Sequence, residues 1–230
     1  FPTRRSSDLG NITIAGDLAQ SIIPPFYIRD WDDVRRLVKD STKKDIEYYQ
    51  LQKCYRTTVE IVEFANRIFK DRFPKSYKLP EAVLRHGDEV KVLEYDNDVK
   101  DLREDNLKDL VKIMREQFNK GAVTCAVLCK NRGHADDLFH LFKEYEDIIE
   151  RQVVSYKEND YKSGLLILPI ENAKGLEFDS VIFADLNSNY YEDAELDIRL
   201  LYVGITRALH RVFVITKKND SLFKSLIGNN

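Results

Sequence analysis

The chain has 230 residues, 43% hydrophobic and 33% charged, with a formal net charge of -3 and a pI near 5.9. That is enough apolar material for one sizeable α/β domain, or one domain plus part of another. The near-neutral balance excludes a protein built to wrap phosphate backbones, which shows a broad basic surplus. No apolar run reaches membrane-spanning length, and no secretory signal is evident. Cys54, Cys125 and Cys129 form neither a C-x-x-C pair nor a zinc-ligand cluster. Buried free thiols in a reducing compartment are expected, and with them a cytoplasmic protein without membrane attachment.

In chain order, Phe1 to Leu9 (FPTRRSSDL) prepares no structural element. It reads as the in-frame translation of a sequencing adapter; the alternative is a natural basic tail. Asn11 to Ala15 alternates and predicts a strand, ended by Gly16-Asp17. Trp31 to Lys39 predicts a short amphipathic helix capped by Asp30. Tyr49 to Tyr55 is extended. Thr57 or Thr58 caps a helix through Ile61, Phe64, Ala65, Ile68 and Phe69, spaced three and four apart.

Phe73 to Asp88, with Pro74, Pro80 and Gly87, is a connector. Glu89 to Tyr95 alternates as a strand. Val99 to Phe118 predicts one long helix with an apolar face, stopped at Lys120-Gly121. Ala122 to Cys129 is unbroken apolar sequence, as in a strand covered on both faces. Ala135 to Tyr145 is helical. Gly164 to Ile170 and Ser180 to Leu186 are two further buried strands. Glu195 to Leu209 is a helix, His210 to Thr216 a strand, and Asp220 to Ile227 a terminal helix. Strands alternating with helices of this length predict a mostly parallel sheet with helices on both faces.

Four segments carry chemistry. Gly16-Asp-Leu-Ala-Gln-Ser-Ile22 follows the first strand, where Asp17 and Gln20 could hold a water or sense a phosphate; the alternative is an ordinary turn. Gln52-Lys-Cys-Tyr-Arg-Thr-Thr58 puts Arg56 beside a helix start, which itself favours anions. A surface salt bridge is the alternative there. In Asn172-Ala-Lys-Gly-Leu-Glu-Phe-Asp179, Gly175 permits a tight turn after Lys174, and Glu177 is placed to accept from a ribose hydroxyl. A polar loop is the plain alternative. In Leu200-Leu-Tyr-Val-Gly-Ile-Thr-Arg-Ala-Leu209, Arg207 lies in an apolar helix and needs a partner, a phosphate or a buried carboxylate. Taken alone, that segment favours the carboxylate. His86, His134, His140 and His210 are scattered, and surface or packing roles are expected for them.

In this order and wording the segments resemble the UvrD/Rep-type superfamily 1 helicases. Gly16-Asp17 with Gln20 looks like motif III and Tyr55-Arg56 like motif IV. Ala173-Lys-Gly-Leu-Glu-Phe178 looks like motif V. Tyr202-Val203 with Thr206-Arg207-Ala208 looks like motif VI. The likeness spans nearly all of residues 10 to 216. Within the group the chain is most similar to the RNA polymerase-associated HelD type. Motif III is followed by Ile28-Arg-Asp-Trp-Asp-Asp-Val34, and Leu165-Leu-Ile-Leu-Pro-Ile170 precedes motif V. The stretch between motifs IV and V, largely assignable to sheet and helices, leaves little room for the large inserted subdomain of UvrD and Rep. Glu171-Asn172 stands where repair helicases carry His followed by Ser or Thr, and a Glu there would repel a phosphate.

The resemblance implies a RecA-like fold and an ATP site between two such domains. Residues 10–44 would end the first domain and residues 45–230 form the second. Arg207 and Arg56 would act as arginine fingers, Gln20 as γ-phosphate sensor, and Glu177 as ribose holder, with Asp17, Lys174 and Gly175 in the nucleotide site. ATP with Mg2+ is the implied cofactor, although the chain contains no G-x-x-x-x-G-K-[ST] and no magnesium motif before Gly16. The cradle would then lie in a missing N-terminal half, and this chain alone would not hydrolyse ATP. The implied partner is RNA polymerase or single-stranded DNA. A stand-alone, non-catalytic binding module is the alternative of another class.

Overall fold

The computed structural model describes residues 13–22, 30–42, 46–70, 72, 77–83, 85–158 and 161–228. The adapter-like start, the first two residues of the predicted first strand and Ile28-Arg29 lie outside them. Thr13 to Ala15 are exposed and in no strand. Helix α1 (Trp31–Thr42) starts where expected, with Asp30 Oδ1 accepting from the Asp32 N–H at 3.0 Å, but it buries none of its residues.

Short strand β1 (Lys53–Cys54) pairs in parallel with β2 (Glu81–Ala82), which lies inside the predicted connector. Helix α2 (Val59–Phe69) buries Ile61, Phe64, Ala65, Ile68 and Phe69, the face its spacing prescribes. Its cap residue Thr58 makes no side-chain cap bond; the Val59 N–H instead donates to the Arg85 carbonyl at 3.0 Å. Edge strand β3 (Lys91–Tyr95) follows. The long helix predicted from Val99 is broken into a 3-10 turn (Val99–Asp101) and helix α3 (Glu104–Asn119). A tertiary bond accounts for the break: the Val99 N–H donates to Asp185 Oδ1 at 2.8 Å, so the turn is fastened to the sheet rather than to α3.

Strand β4 (Thr124–Cys129), helix α4 (Arg132–Lys143), the single turn α5 (Glu146–Ile149) and strand β5 (Val153–Ser155) come next. β5 went unpredicted because three residues are too few to show a period. Strands β6 (Gly164–Pro169) and β7 (Phe178–Phe183), helix α6 (Glu195–Ile205), strand β8 (Ala208–Lys217) and helix α7 (Ser221–Ile227) complete the chain. α6 ends four residues earlier than predicted, which moves Arg207 from the helix into the turn before β8.

Six strands form one sheet in the order β3-β8-β7-β4-β6-β5, every pair parallel. From central β4 the chain runs to β5 and β6 at one side, then crosses back past β4 to β7 and β8. One apolar core, with Ala126, Leu166, Leu168, Val181 and Phe183, lies under α2, α6 and α7. The other, with Val127, Leu165, Ile167 and Ile182, lies under α3, α4 and α5. Cladding on both faces is why β4 and β6 are uninterrupted apolar runs.

Cys125 and Cys129 are fully buried, and Cys54 is half-buried. Burial pushes the Cys125 thiol up to about 12 and raises the Cys129 thiol well above its ordinary range. Because the thiolate is the reactive form, a thiol reagent is expected to label Cys54 alone in the native protein and all three cysteines after denaturation. Mass spectrometry of the labelled chain checks this. Among the described residues, no helix is long and apolar enough to cross a membrane.

Candidate functional site

The sequence segments singled out above meet at one edge of the sheet. Phe178 opens β7 and Ala208 opens β8, and the two are register partners; the Phe178 N–H donates to the Arg207 carbonyl at 2.9 Å. Glu177 and Arg207 therefore stand side by side, each one residue before its strand. This is the edge where the strands begin, opposite the carboxyl ends that hold most ligands of open α/β sheets. Arg56 reaches the same place from the turn before α2, its Nε 2.6 Å from Glu177 Oε1. Both of those side chains remain nearly half exposed.

Arg207 is 2% exposed. Its Nε donates to the Val203 carbonyl at 3.0 Å, Nη1 to the Leu176 carbonyl at 3.5 Å and Nη2 to Thr206 Oγ1 at 3.3 Å. Among the described residues no carboxylate lies within 4 Å of it. The buried carboxylate favoured from sequence alone is thus replaced by carbonyls and a hydroxyl, because the helix ends early and the guanidinium folds back over its last turn. Burial and then the nearby Arg56 charge lower its pKa, while Glu177, Tyr202 and Asp17 act in the opposite direction. A buried cation held only by neutral acceptors, with a second cation beside it, suits an anionic oxygen.

The Asp17–Gln20 segment reaches this neighbourhood, and among the described residues no strand precedes it. Asp17 caps its own 3-10 turn (Leu18–Gln20), with Oδ1 accepting from the Ala19 N–H at 3.0 Å and Oδ2 from Gln20 Nε2 at 2.8 Å. The Tyr77 hydroxyl donates to Asp17 Oδ1 at 3.3 Å. Leu18, Ala19 and Ile22 are buried, the turn rests on α6, and the Arg199 guanidinium donates to the Leu18 carbonyl while pairing with Glu195. Arg199 was missed in the sequence. Its signal, a lone cation in the apolar run Ile198–Ile205, was the one used for Arg207.

Gly175 has φ +85° with open space around it, as a tight turn requires, and Lys174 beside it is exposed. Glu171, the departure from the repair-helicase pattern, pairs with Arg132 at 3.0 Å. His134 is a packing residue, as expected: it is buried, stacked on Tyr190 and bonded to Asp185 Oδ2 at 3.1 Å. Among the described residues, no three His, Cys, Asp or Glu side chains are grouped to hold a metal ion.

At the start of α2, Glu60 accepts from the Gly87 N–H and lies 2.9 Å from the His86 ring. Its own backbone N–H, then the His86 ring, hold its carboxyl at about 2. A depressed carboxylate contributes stability that is complete above the ordinary carboxylate range and lost as pH falls through about 2. Titration followed by NMR is expected to give that low midpoint, and His86→Ala to move it back toward ordinary values.

Comparison with known proteins matches this frame. Residues 164–215, which hold β6, β7, α6 and most of β8, match the UvrD-like helicase C-terminal domain family. The chain superposes on the crystal structure of the C-terminal domain of a possible DNA helicase from Lactobacillus plantarum WCFS1. The identity is 24% and the TM-score 0.58, over 76% of this chain and 94% of that one. The fold is that of a helicase C-terminal RecA-like domain. The C-terminal part of the Fun30 ATPase domain also aligns, at 15% identity and TM-score 0.32, over 54% of this chain and 45% of that one. No curated protein matches in sequence. Arg207, Arg56 and Glu177 thus sit on a RecA-like domain, at the edge where β7 and β8 begin.

Proposed function

We propose that this chain is the second RecA-like domain of an ATP-driven superfamily 1 translocase, presenting Arg207 and Arg56 to an ATP cradled by another RecA-like domain. The observation that carries this is convergence. Arg56, Glu177 and Arg207 are scattered over 152 positions of sequence and are folded onto one sheet edge, with Asp17 near enough for its charge to act on Arg207. Glu177 currently neutralises Arg56. A nucleotide would take both arginines with its phosphates and leave Glu177 free to accept from the ribose. Gln20, adjacent through Asp17, would sense the γ-phosphate. Mg2+ and the phosphate cradle belong to the other domain, since the chain has no G-x-x-x-x-G-K-[ST]. ATP binds such fingers better than ADP, so hydrolysis would open and close the cleft between the domains.

As the working substrate we favour an RNA polymerase–nucleic acid complex, as in the HelD type. The near-neutral charge supports this, and so does the stretch from motif IV to motif V, whose described residues from Lys91 to Pro169 build the sheet and its helices with no separate subdomain. The second reading, a translocase on single-stranded DNA, is favoured by the solved relative described as a possible DNA helicase. Sequencing the source DNA upstream of the Gly10 codon tests the assignment. A reading frame continuing into G-x-x-x-x-G-K-[ST] supports it, and a start codon close by without a P-loop turns it into a non-catalytic binding module. ATP turnover by the complete protein is then expected to rise with RNA polymerase more than with single-stranded DNA. This chain alone is expected to show no turnover; turnover abolished by Arg207→Ala in the chain alone would contradict that.

A further inference from the structure

The same sheet edge carries a second feature that none of Arg56, Glu177 or Arg207 lines. A cavity of about 540 Å³ opens between the start of β8, the end of α3 and the segment before β3. Its volume lies in the range of small-molecule sites. Three cations from three separate elements face it: Arg85, Lys120 and Arg211. Two carboxylates oppose them, and both are engaged. Asp179 Oδ2 accepts from the Val123 N–H, the Thr124 N–H and Thr124 Oγ1 at 2.8, 3.0 and 3.2 Å. Asp88 stands 3.9 Å from Arg211.

Arg85 spends its guanidinium on neutral groups, the Arg56 carbonyl at 3.3 Å and His210 Nδ1 at 2.6 Å. Arginine only donates, so that ring nitrogen is an acceptor. Among the described residues neither Arg85 nor Lys120 has a carboxylate within 4 Å. Three cations thus face two carboxylates across the cavity, and at its wall burial first, then Arg85, lowers the His210 pKa against the pull of Asp179.

We infer that this cavity binds a compact phosphate-class anion, held by Arg85, Lys120 and Arg211. Guanidinium forks match tetrahedral oxyanions, and the polar walls offer little surface to an organic body. A bound anion would also compete for Arg85, whose bond to the Arg56 carbonyl steadies the turn before α2. The inference does not rest on the ATP reading, and either can fail without the other.

The test is an NMR titration of the His210 ring in this chain with sodium pyrophosphate, against sodium chloride at matched ionic strength. Saturable shifts with pyrophosphate alone are expected, weakened about fivefold in Lys120→Gln and in Arg85→Gln, the exposed-charge scale for one lost pair. Lys120 is exposed at the end of α3, so its variant is expected to keep the native fold, checked by thermal unfolding. Shifts reproduced by chloride, or unchanged in both variants, would overturn the inference. So would tighter binding of a single-stranded oligonucleotide than of pyrophosphate, since that would make the ligand a phosphodiester backbone.

Discussion

Arg207→Ala is expected to lower ATP turnover of the complete motor by about a thousandfold or more, the usual value of an arginine finger. That corresponds to roughly 4 kcal/mol of barrier. The expectation follows from where the guanidinium sits. It is buried at the turn into β8, bonded to two carbonyls and a hydroxyl, with Arg56 close by and no carboxylate within 4 Å among the described residues. Such a cation has unspent capacity for an anion, and its attraction grows as charge develops on a transferring phosphoryl group. Interactions made mainly in the transition state lower kcat and leave KM comparatively unchanged.

Removing a buried arginine also takes a donor from the Leu176 carbonyl and leaves the Val203 carbonyl only the Thr206 hydroxyl, so the alanine variant loses stability as well. Arg207→Lys separates the two effects. It keeps the charge but loses the planar fork, and is expected to retain the fold while losing most of the turnover. Steady-state kcat and KM for both variants, with thermal unfolding of each, decide the matter. Wild-type kcat in Arg207→Lys and Arg207→Ala would remove Arg207 from the mechanism. Arg56→Ala is expected to act in the same direction by less, because Arg56 is half exposed and its charge is partly screened.

Gly204→Val is expected to destabilise the domain by about 3 kcal/mol, the upper end of ordinary overpacking. Gly204 lies on α6 where the helix presses against the sheet. A Cβ there would come within 2.7 Å of Phe183 Cε2 and 3.0 Å of Leu128 Cδ1, both fully buried. Neither side chain is exposed to solvent, so both must shift within the core, and helix propensity returns less than about 1 kcal/mol on replacing glycine. For a chain of this length the loss is a fall in Tm of roughly 6–12 °C. Calorimetry checks it, and an unchanged Tm would mean that α6 can lift from β7. The position has functional weight because α6 carries Arg199, which holds the Leu18 turn, and ends two residues before Arg207.

Much of the frame was legible in local pattern. The apolar runs at β4 and β6 announced strands covered on both sides, and α2 buries the face its spacing prescribes. Glycine at position 175 marked a turn that the backbone makes with positive φ. These features are local: a strand clad on both faces must be apolar, an amphipathic helix must repeat at 3.6 residues, and a left-handed turn favours glycine. The wording of four short segments also carried the resemblance to helicases, and the fold agrees with it.

Tertiary contacts decided the rest. The break before α3 depends on Asp185, 86 residues away, accepting the Val99 N–H. β5 is too short for any pattern and exists through its pairing with β6. The partners of Arg207 depend on where α6 stops, and the meeting of Arg56 with Glu177 depends on strand order across the sheet. The cations around the cavity lie on three elements with no common spacing. Sequence determines what each segment would bury, because burial follows local periodicity. Only the folded sheet determines which charges meet, because that depends on the order and register of strands distant along the chain.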